Sequence, residues 1–105
     1  MKTSTIIPLL FIGTTIVMMA NGQELYKKCT GCHGENGEVS ALQQSAIITA
    51  QDSNLTIKEL TAYKNGELNQ YGLGNIMKLQ LTTVSDEEIS ELADYISELK
   101  TEASQ

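Results

Sequence analysis

The strongest pattern of apolar and polar positions lies near the carboxyl end of the chain, over residues 85–100. Apolar side chains recur there at helical spacing, and acidic side chains occupy many of the positions between them. Ser85 and Glu88 have the spacing of a capping box, and Val84 precedes them where it can pack on Ile89 as a hydrophobic staple. The pattern predicts a helix with one buried and one solvated face. The positions expected on or beside the buried face are Ile89, Leu92, Ala93, Tyr95, Ile96 and Leu99.

A second, shorter helix is predicted over residues 22–29. Gly22 and Tyr26 lie one helical turn apart, so the glycine allows another helix to approach closely and the tyrosine fills the space beside it. Tyr95, in the predicted last helix, is the expected contact. The sequence therefore predicts that the first and last helices of the domain cross.

A third helix is predicted over residues 57–64, because Thr56 and Glu59 have capping-box spacing and Gly66 provides a stop. No convincing strand alternation follows residue 20, and residues 34–52 are expected to form a loop. A loop of that length is unusual in so small a domain unless it wraps a bound group. These patterns predict an all-α fold of three to five short helices.

The first 20 residues have the features of a secretory signal peptide. Lys2 supplies the positive start, an apolar run follows, and Ala20 provides a small residue for cleavage. A retained membrane anchor is the alternative, but about 15 apolar residues interrupted by Pro8 and Gly13 are fewer than the roughly 18 expected of a spanning helix. We therefore expect residues 1–20 to be removed and residues 21–105 to form one domain without a membrane span.

Composition and charge narrow the choice of function. The chain has 105 residues and a formal net charge of -6, and its 7 basic residues are all lysines. Nucleic-acid binding needs a concentrated basic surface, which this chain lacks. Residues 21–105 are few for a self-sufficient core, so a disulfide, metal or cofactor is expected to add stability. A disulfide between Cys29 and Cys32 would close too short a loop to do so.

Residues 29–33 contain the pattern CxxCH, which is the signature of c-type haem attachment. In a helical turn, Cys29, Cys32 and His33 project from one face. Two thiols so placed can add across the two vinyl groups of a porphyrin while the imidazole points at the iron. Bacterial haem of this type is attached outside the cytoplasm, which agrees with the predicted signal peptide. We therefore expect one covalently bound haem c.

Three other interpretations compete with haem attachment. A thioredoxin-like CxxC needs a strand leading into the motif and a βαβ context, and the chain shows no such pattern. A structural zinc site normally needs four ligands, whereas residues 21–105 contain two cysteines and one histidine. A structural disulfide beside an incidental histidine is the third interpretation. Haem attachment is favoured over all three.

The sixth ligand of the haem iron separates an electron carrier from a gas-binding or catalytic haem. Met77 is the only methionine after residue 20 and His33 is the only histidine, so the options within the chain are Met77, a lysine or solvent. A lone methionine is more often a core side chain. However, Met77 follows Gly72 and Gly74 in a predicted glycine-rich loop, which favours a ligand.

The ordered motifs resemble the monohaem class I cytochrome c family, in particular the small bacterial c553-type proteins. The resemblance covers residues 21–105. It rests on the Gly22 to Tyr26 spacing, on CxxCH, and on residues 63–69 (YKNGELN), 71–78 (YGLGNIMK) and 92–96 (LADYI). It implies a small cytochrome c fold, in which a few helices wrap one haem.

The resemblance implies a role for each candidate site residue. Cys29 and Cys32 would form the thioether bonds to the haem, His33 would be the proximal iron ligand and Met77 the distal one. Many members carry a proline after the motif whose carbonyl helps to orient the ligating histidine, and residues 21–105 contain no proline. The acceptor for the second nitrogen of His33 is therefore open.

Histidine and methionine together leave no coordination site for a substrate, so the expected chemistry is one-electron exchange and the chain is not expected to be an enzyme. The resemblance implies a monomeric periplasmic electron carrier with protein redox partners. By family analogy, a quinol-oxidising complex or a dehydrogenase would donate electrons, and a terminal oxidase or a cytochrome c peroxidase would accept them. Two alternatives stay open: a haem subunit of a larger oxidoreductase, and an open-site haem sensor or enzyme in which Met77 only packs.

Charge is distributed unevenly along the chain. Residues 21–80 carry a balance of -1, whereas residues 81–105 carry -6. Lys27, Lys28 and Lys78 adjoin the candidate haem ligands in sequence. This arrangement indicates a neutral or locally positive haem edge that docks on a partner while the acidic last helix orients the molecule. The alternative is an ordinary solvated helix face.

Overall fold

The computed structural model describes residues 21–101, and every regular element in that range is helical. The five α-helices, in chain order, are α1 (Gly22–Tyr26), α2 (Thr30–His33), α3 (Ser53–Lys64), α4 (Gly74–Gln80) and α5 (Asp86–Ser97). Single 3-10 turns lie at Lys27–Cys29, between α1 and α2, and at Ala41–Gln43. The predicted all-α architecture is confirmed.

The predicted signal peptide, residues 1–20, lies outside the described range, as do residues 102–105. Among the helices of residues 21–101, none is long and apolar enough to cross a membrane. The domain boundary after residue 20 stays a prediction.

Helix α5 begins where the sequence predicts. Ser85 is its N-cap: the Ser85 Oγ accepts a hydrogen bond from the backbone N–H of Glu88 (3.1 Å), and the Glu88 carboxylate accepts one from the backbone N–H of Ser85 (3.0 Å). Both halves of the predicted capping box are therefore present. The helix ends at Ser97, before the predicted end. Its buried side chains are Ile89, Leu92, Ala93 and Ile96.

Helix α1 crosses α5 at Gly22. A Cβ atom on Gly22 would lie 2.5 Å from the carbonyl oxygen of Glu91 and 2.5 Å from Cβ of Tyr95, so the approach requires glycine. Beside it, the buried ring of Tyr26 has its centroid 5.5 Å from that of Tyr95. The predicted crossing is confirmed. Helix α1 is shorter than predicted, because the chain passes through a 3-10 turn into α2.

Helix α3 begins earlier than predicted, at Ser53. Its N-cap is Asp52, whose carboxylate accepts a hydrogen bond from a backbone N–H of the first turn (3.0 Å). Thr56 lies inside the helix, where its hydroxyl donates to the carbonyl of Asp52 (3.1 Å), so the capping box predicted at Thr56 is wrong. The Ser53 hydroxyl donates to the carboxylate of Asp94 on α5 (2.6 Å). This contact ties the start of α3 to the last helix.

The segment that carries Met77 is a helix, α4, and the glycine-rich loop predicted there is wrong. The backbone N–H of Gly74, the first residue of α4, donates to Oδ1 of Asn69 (2.8 Å). A Cβ atom on Gly74 would overlap the carbonyl oxygen of Leu68, so this glycine permits a close approach between two segments. Gly72 has a φ of 78° and makes the turn that precedes the helix.

Residues 34–52 form the long connection between α2 and α3, as predicted. The Thr49 hydroxyl donates to the carbonyl of Asn36 (2.6 Å), and the Ser40 hydroxyl donates to the carbonyl of Ser45. Three non-glycine residues have a positive φ: Leu42, Gln43 and Ala50. Because each such residue costs roughly 1 kcal/mol, the surrounding contacts must hold the loop in this conformation.

One hydrophobic core joins α1, α3 and α5. Its buried members are Tyr26, Leu60, Tyr63, Leu81, Val84, Ile89, Leu92, Ile96 and Leu99. Cys29 and Met77 of the predicted site pack against this core. The candidate site is therefore built directly on the part of the fold that is most completely buried.

Candidate functional site

A cavity of about 350 Å³ opens beside the core and is lined by residues of α2, the long loop, α3, α4 and α5. Cys29, Cys32, His33 and Met77, the four residues predicted from the sequence, all line it. Most of the remaining wall is apolar. The structure therefore brings two thiols, an imidazole and a thioether to one apolar space, and this donor set fits a covalently attached haem.

The two cysteines of the motif lie in consecutive helical elements. Cys29 ends the 3-10 turn and is half-buried, Cys32 lies on α2 and is exposed, and both thiols are free. Burial raises the pKa of the Cys29 thiol, while the charge of Lys28 acts in the opposite direction. Within residues 21–101, no group of three or more His, Cys, Asp and Glu side chains could hold a metal ion. The disulfide and zinc interpretations therefore find no support in this part of the chain.

His33 is the last residue of α2, and its side chain is half-buried. Burial lowers the pKa of the imidazole, which favours the neutral form that binds a metal ion. The Nδ1 atom is buried and has no hydrogen-bond partner among the described residues. Within this range, no protein acceptor replaces the carbonyl of the missing proline.

Hydrogen bonds fix the backbone around His33 and Gly34, and one of them comes from a side chain of α1. The Tyr26 hydroxyl donates to the carbonyl oxygen of Gly34 (2.6 Å), and the backbone N–H of Val39 donates to the carbonyl of His33 (3.0 Å). Gly34 has a φ of 82°, and an added Cβ atom would overlap the side chain of Glu38. Sequence reasoning assigns Tyr26 only to the helix crossing. In the structure, the same side chain also links that crossing to the residue that follows the CxxCH motif.

Met77 lies in the middle of α4 and is half-buried. It lines the cavity and also packs against the hydrophobic core. The thioether is therefore carried by a helix. Its place on the cavity wall suits the predicted distal ligand, and its contact with the core equally suits the alternative that Met77 is only a packing side chain.

Several large apolar side chains of residues 21–101 are exposed, and more than half of them belong to the cavity wall. Those that line the cavity are Leu42, Leu55, Tyr71 and Ile76. Contiguous exposed apolar surface marks a site that another apolar group covers. A porphyrin ring is a group of that kind, so the wall agrees with the donor set.

A polar cluster on the cavity wall escapes sequence reasoning. The carboxylate of Glu59, on α3, accepts hydrogen bonds from the side-chain amides of Gln51 (3.4 Å) and Gln70 (3.3 Å). Gln51 also donates to the hydroxyl of Thr56 (3.0 Å), which is buried. These residues come from the long loop, from α3 and from the turn before α4. No local spacing could reveal their contact, because the fold alone brings the three segments together.

The fold and the cavity define a class: a small all-α protein built to hold a covalently attached haem. Residues 19–100 match the sequence model of the family described as Cytochrome c. The chain belongs to the cytochrome c family. It is a c-type cytochrome that carries electrons between protein redox partners, and its cofactor is one covalently bound haem c.

Curated relatives of similar size support this assignment. The chain is 34% identical over 94 residues to cytochrome c-553 of Nitratidesulfovibrio vulgaris, and the match covers 86% of this chain and 87% of the relative. It is 33% identical over 85 residues to cytochrome c-553 of Helicobacter pylori strain J99, with coverage of 81% and 84%. It is also 30% identical over 71 residues to cytochrome c4 of Azotobacter vinelandii, but that match spans 68% of this chain and 34% of the relative.

Proposed function

We propose that the chain is an exported, periplasmic carrier of single electrons, in which Cys29 and Cys32 would attach the haem and His33 and Met77 would bind its iron. The observation that carries this proposal is that all four side chains line one apolar cavity. The similarity to proteins named cytochrome c-553 over most of their length supports the same class of function. Residues 1–20 are proposed to be a cleaved signal peptide.

When bound, the haem supplies one-electron exchange between Fe(III) and Fe(II). Cys29 and Cys32 would hold the porphyrin through thioether bonds to its vinyl groups. His33 would offer a nitrogen to the iron, and burial lowers its pKa and so favours the neutral form that binds metal. The soft thioether of Met77 would favour Fe(II) and so raise the reduction potential. The apolar wall would disfavour the additional positive charge of Fe(III).

The proposed partners are those of a respiratory carrier that works as a monomer. A quinol-oxidising complex or a dehydrogenase is the proposed donor, and a terminal oxidase or a cytochrome c peroxidase is the proposed acceptor. Of the three lysines predicted at the docking edge, Lys27 pairs with Glu24 (2.9 Å). Lys28 lines the cavity and Lys78 is exposed on α4, so these two are the better candidates for contact with a partner.

One observation favours a second candidate function. Met77 packs against the core, and an open-site haem sensor or enzyme would result if its sulfur served packing alone. Carbon monoxide separates the two functions: an iron held by Met77 does not bind it readily at neutral pH, whereas an open site does. The other alternative, a fixed subunit of a larger oxidoreductase, is opposed if the hydrodynamic radius is that of a monomer.

The decisive experiment compares the visible spectra of Met77→Ala and the parent, both produced with a c-type haem maturation system, in the oxidised and reduced states. We expect the parent to be low-spin with a weak far-red sulfur-to-iron band, and the variant to lose that band and become high-spin. Ile76→Ala is the matched control, because its side chain also lies on α4 and lines the cavity. The control is expected to keep the band. Coincident spectra of Met77→Ala and the parent would refute the proposed ligand.

A further inference from the structure

Glu59 places an acidic side chain on the wall of the haem cavity. It is half-buried on α3, and among the described residues that line the cavity it is the only carboxylate. Lys28 is the only ammonium group in the same set. A charge on this wall lies in a largely apolar surrounding, where its field is screened less than it would be on the outer surface.

The carboxylate of Glu59 is held by neutral donors. The side-chain amide of Gln51 bonds to its Oε1 (3.4 Å), and that of Gln70 bonds to its Oε2 (3.3 Å). Gln51 is fixed in turn by its bond to the buried hydroxyl of Thr56. Neither of the ion pairs found within residues 21–101 includes Glu59. The amides therefore orient the charge without neutralising it.

The charge of Glu59 already acts on another group of the cavity wall. Burial is the main cause that raises the pKa of Tyr63. A hydrogen bond with Gln70 lowers that pKa, and the negative charge of Glu59 has a smaller effect that raises it. Tyr63 is part of the hydrophobic core and lines the same cavity. The carboxylate thus influences the ionisation equilibrium of a neighbour, and an iron centre that changes its charge by one unit is subject to the same kind of force.

We propose that Glu59 sets the reduction potential of this cytochrome: its carboxylate, oriented by Gln51 and Gln70, stabilises the more positive Fe(III) state and lowers the potential. This rests on the proposed function, because it takes the haem to be attached at Cys29 and Cys32 and to occupy the cavity. Glu59 opposes the apolar wall and the thioether of Met77, which both favour Fe(II). The potential is therefore a balance between these groups.

The test is the midpoint potential of the haem-loaded protein, measured by spectroelectrochemistry at neutral pH and fixed ionic strength for the parent, Glu59→Gln and Glu67→Gln. Glutamine keeps the shape of Glu59 and one acceptor oxygen but removes the charge. We expect the ratio of reduced to oxidised protein at a fixed potential to rise by about threefold to tenfold in Glu59→Gln. At about 59 mV per tenfold change, that is a positive shift of roughly 30 to 59 mV.

Glu67→Gln is the matched control, because it removes the same charge from an exposed position outside the cavity wall. Its shift is expected to be smaller, and Glu59→Asp, which keeps the charge, is expected to stay near the parent. Equal shifts for Glu59→Gln and Glu67→Gln, or a negative shift for Glu59→Gln, would overturn the proposal. If Glu59→Gln fails to acquire haem, Glu59→Ala gives the same comparison. The sulfur-to-iron band is recorded on the same samples, so a failure of Met77 ligation is recognised separately from a failure of this charge effect.

Discussion

The α1–α5 crossing and the cavity wall are packed in different ways. At the crossing, Gly22 lies against the backbone of α5 and Tyr26 is only 2% exposed. On the cavity wall, Leu42 and Leu55 are 59% and 45% exposed. The chain's own side chains complete the crossing, whereas the wall leaves an apolar surface uncovered, which suits the proposed haem. The difference separates the part of the molecule that maintains the fold from the part proposed to hold the cofactor.

The largest loss of stability is expected from a substitution that disrupts the α1–α5 crossing. Gly22→Val places a branched side chain where even a Cβ atom would lie 2.5 Å from backbone and side-chain atoms of α5, so the two helices must separate. We expect a loss of about 3 kcal/mol or more in the free energy of unfolding, measured by urea denaturation of the haem-loaded protein. The control is Gly31→Ala, since an added Cβ on the exposed Gly31 meets nothing within 4 Å. A Gly22→Val protein as stable as Gly31→Ala would contradict the crossing.

A smaller loss of stability is expected from removing the hydrogen bond that joins the crossing to the backbone after His33. Tyr26→Phe removes the hydroxyl that bonds to the carbonyl of Gly34 and should cost about 1 to 2 kcal/mol in the free energy of unfolding at pH 7. Tyr95→Phe removes the same atom from the partner ring and is expected to cost less. Equal losses in the two variants would show that the bond to Gly34 does not stabilise the protein.

The same variant has a pH dependence with a definite sign. Burial raises the pKa of Tyr26 above its ordinary value of 10.0, so above pH 10 the unfolded chain loses this proton while the folded chain keeps it. The contribution of Tyr26 is fully present below pH 10 and decreases as the pH rises further. The stability difference between the parent and Tyr26→Phe should therefore narrow as the pH rises above 10, as urea denaturation would measure.

The smallest expected effect concerns the cap of α5. The hydrogen bond from the backbone of Ser85 lowers the pKa of Glu88 below its ordinary value of 4.5, so the ionised carboxylate stabilises the folded state above that pH. This contribution is lost as the pH falls through the lowered pKa. Glu88→Gln should be slightly less stable than the parent at pH 7 and equal to it in acid. Glu87→Gln removes the same charge from the same helical turn without altering the capping box, and a larger pH-dependent loss in that control would contradict the prediction.

The sequence predicts α5 and the crossing well, because the signals are local and redundant. The capping box at Ser85 and the apolar period after it agree with each other, and the Gly22 to Tyr26 spacing leaves a small and a large residue on one helix face. The CxxCH motif predicts the roles of Cys29, Cys32 and His33 from a signal that is also local, since their chemistry depends on spacing within one turn.

The start of α3 and the conformation around Met77 could not be predicted in the same way. Asp52 and Thr56 both suit an N-cap. The earlier start is accompanied by a contact between Ser53 and α5, and this contact joins segments that are far apart in the sequence. Gly74 suggests a loop, yet it is required because α4 lies against the carbonyl of Leu68. The cluster around Glu59 was missed for the same physical reason: its members meet only in the folded chain.

The crossing of α1 and α5 also makes the core depend on both ends of the described chain. It joins the first and the last helix of the described chain, so the protein has a long-range contact whose loop must close before the core forms. The CxxCH motif begins at the end of the 3-10 turn that follows α1, and it is synthesised before α5. Its two thiols are therefore synthesised before α5, whose Leu92 and Ile96 line the same cavity. Removal of the last helix would accordingly disrupt the whole core, and not merely one end of the molecule.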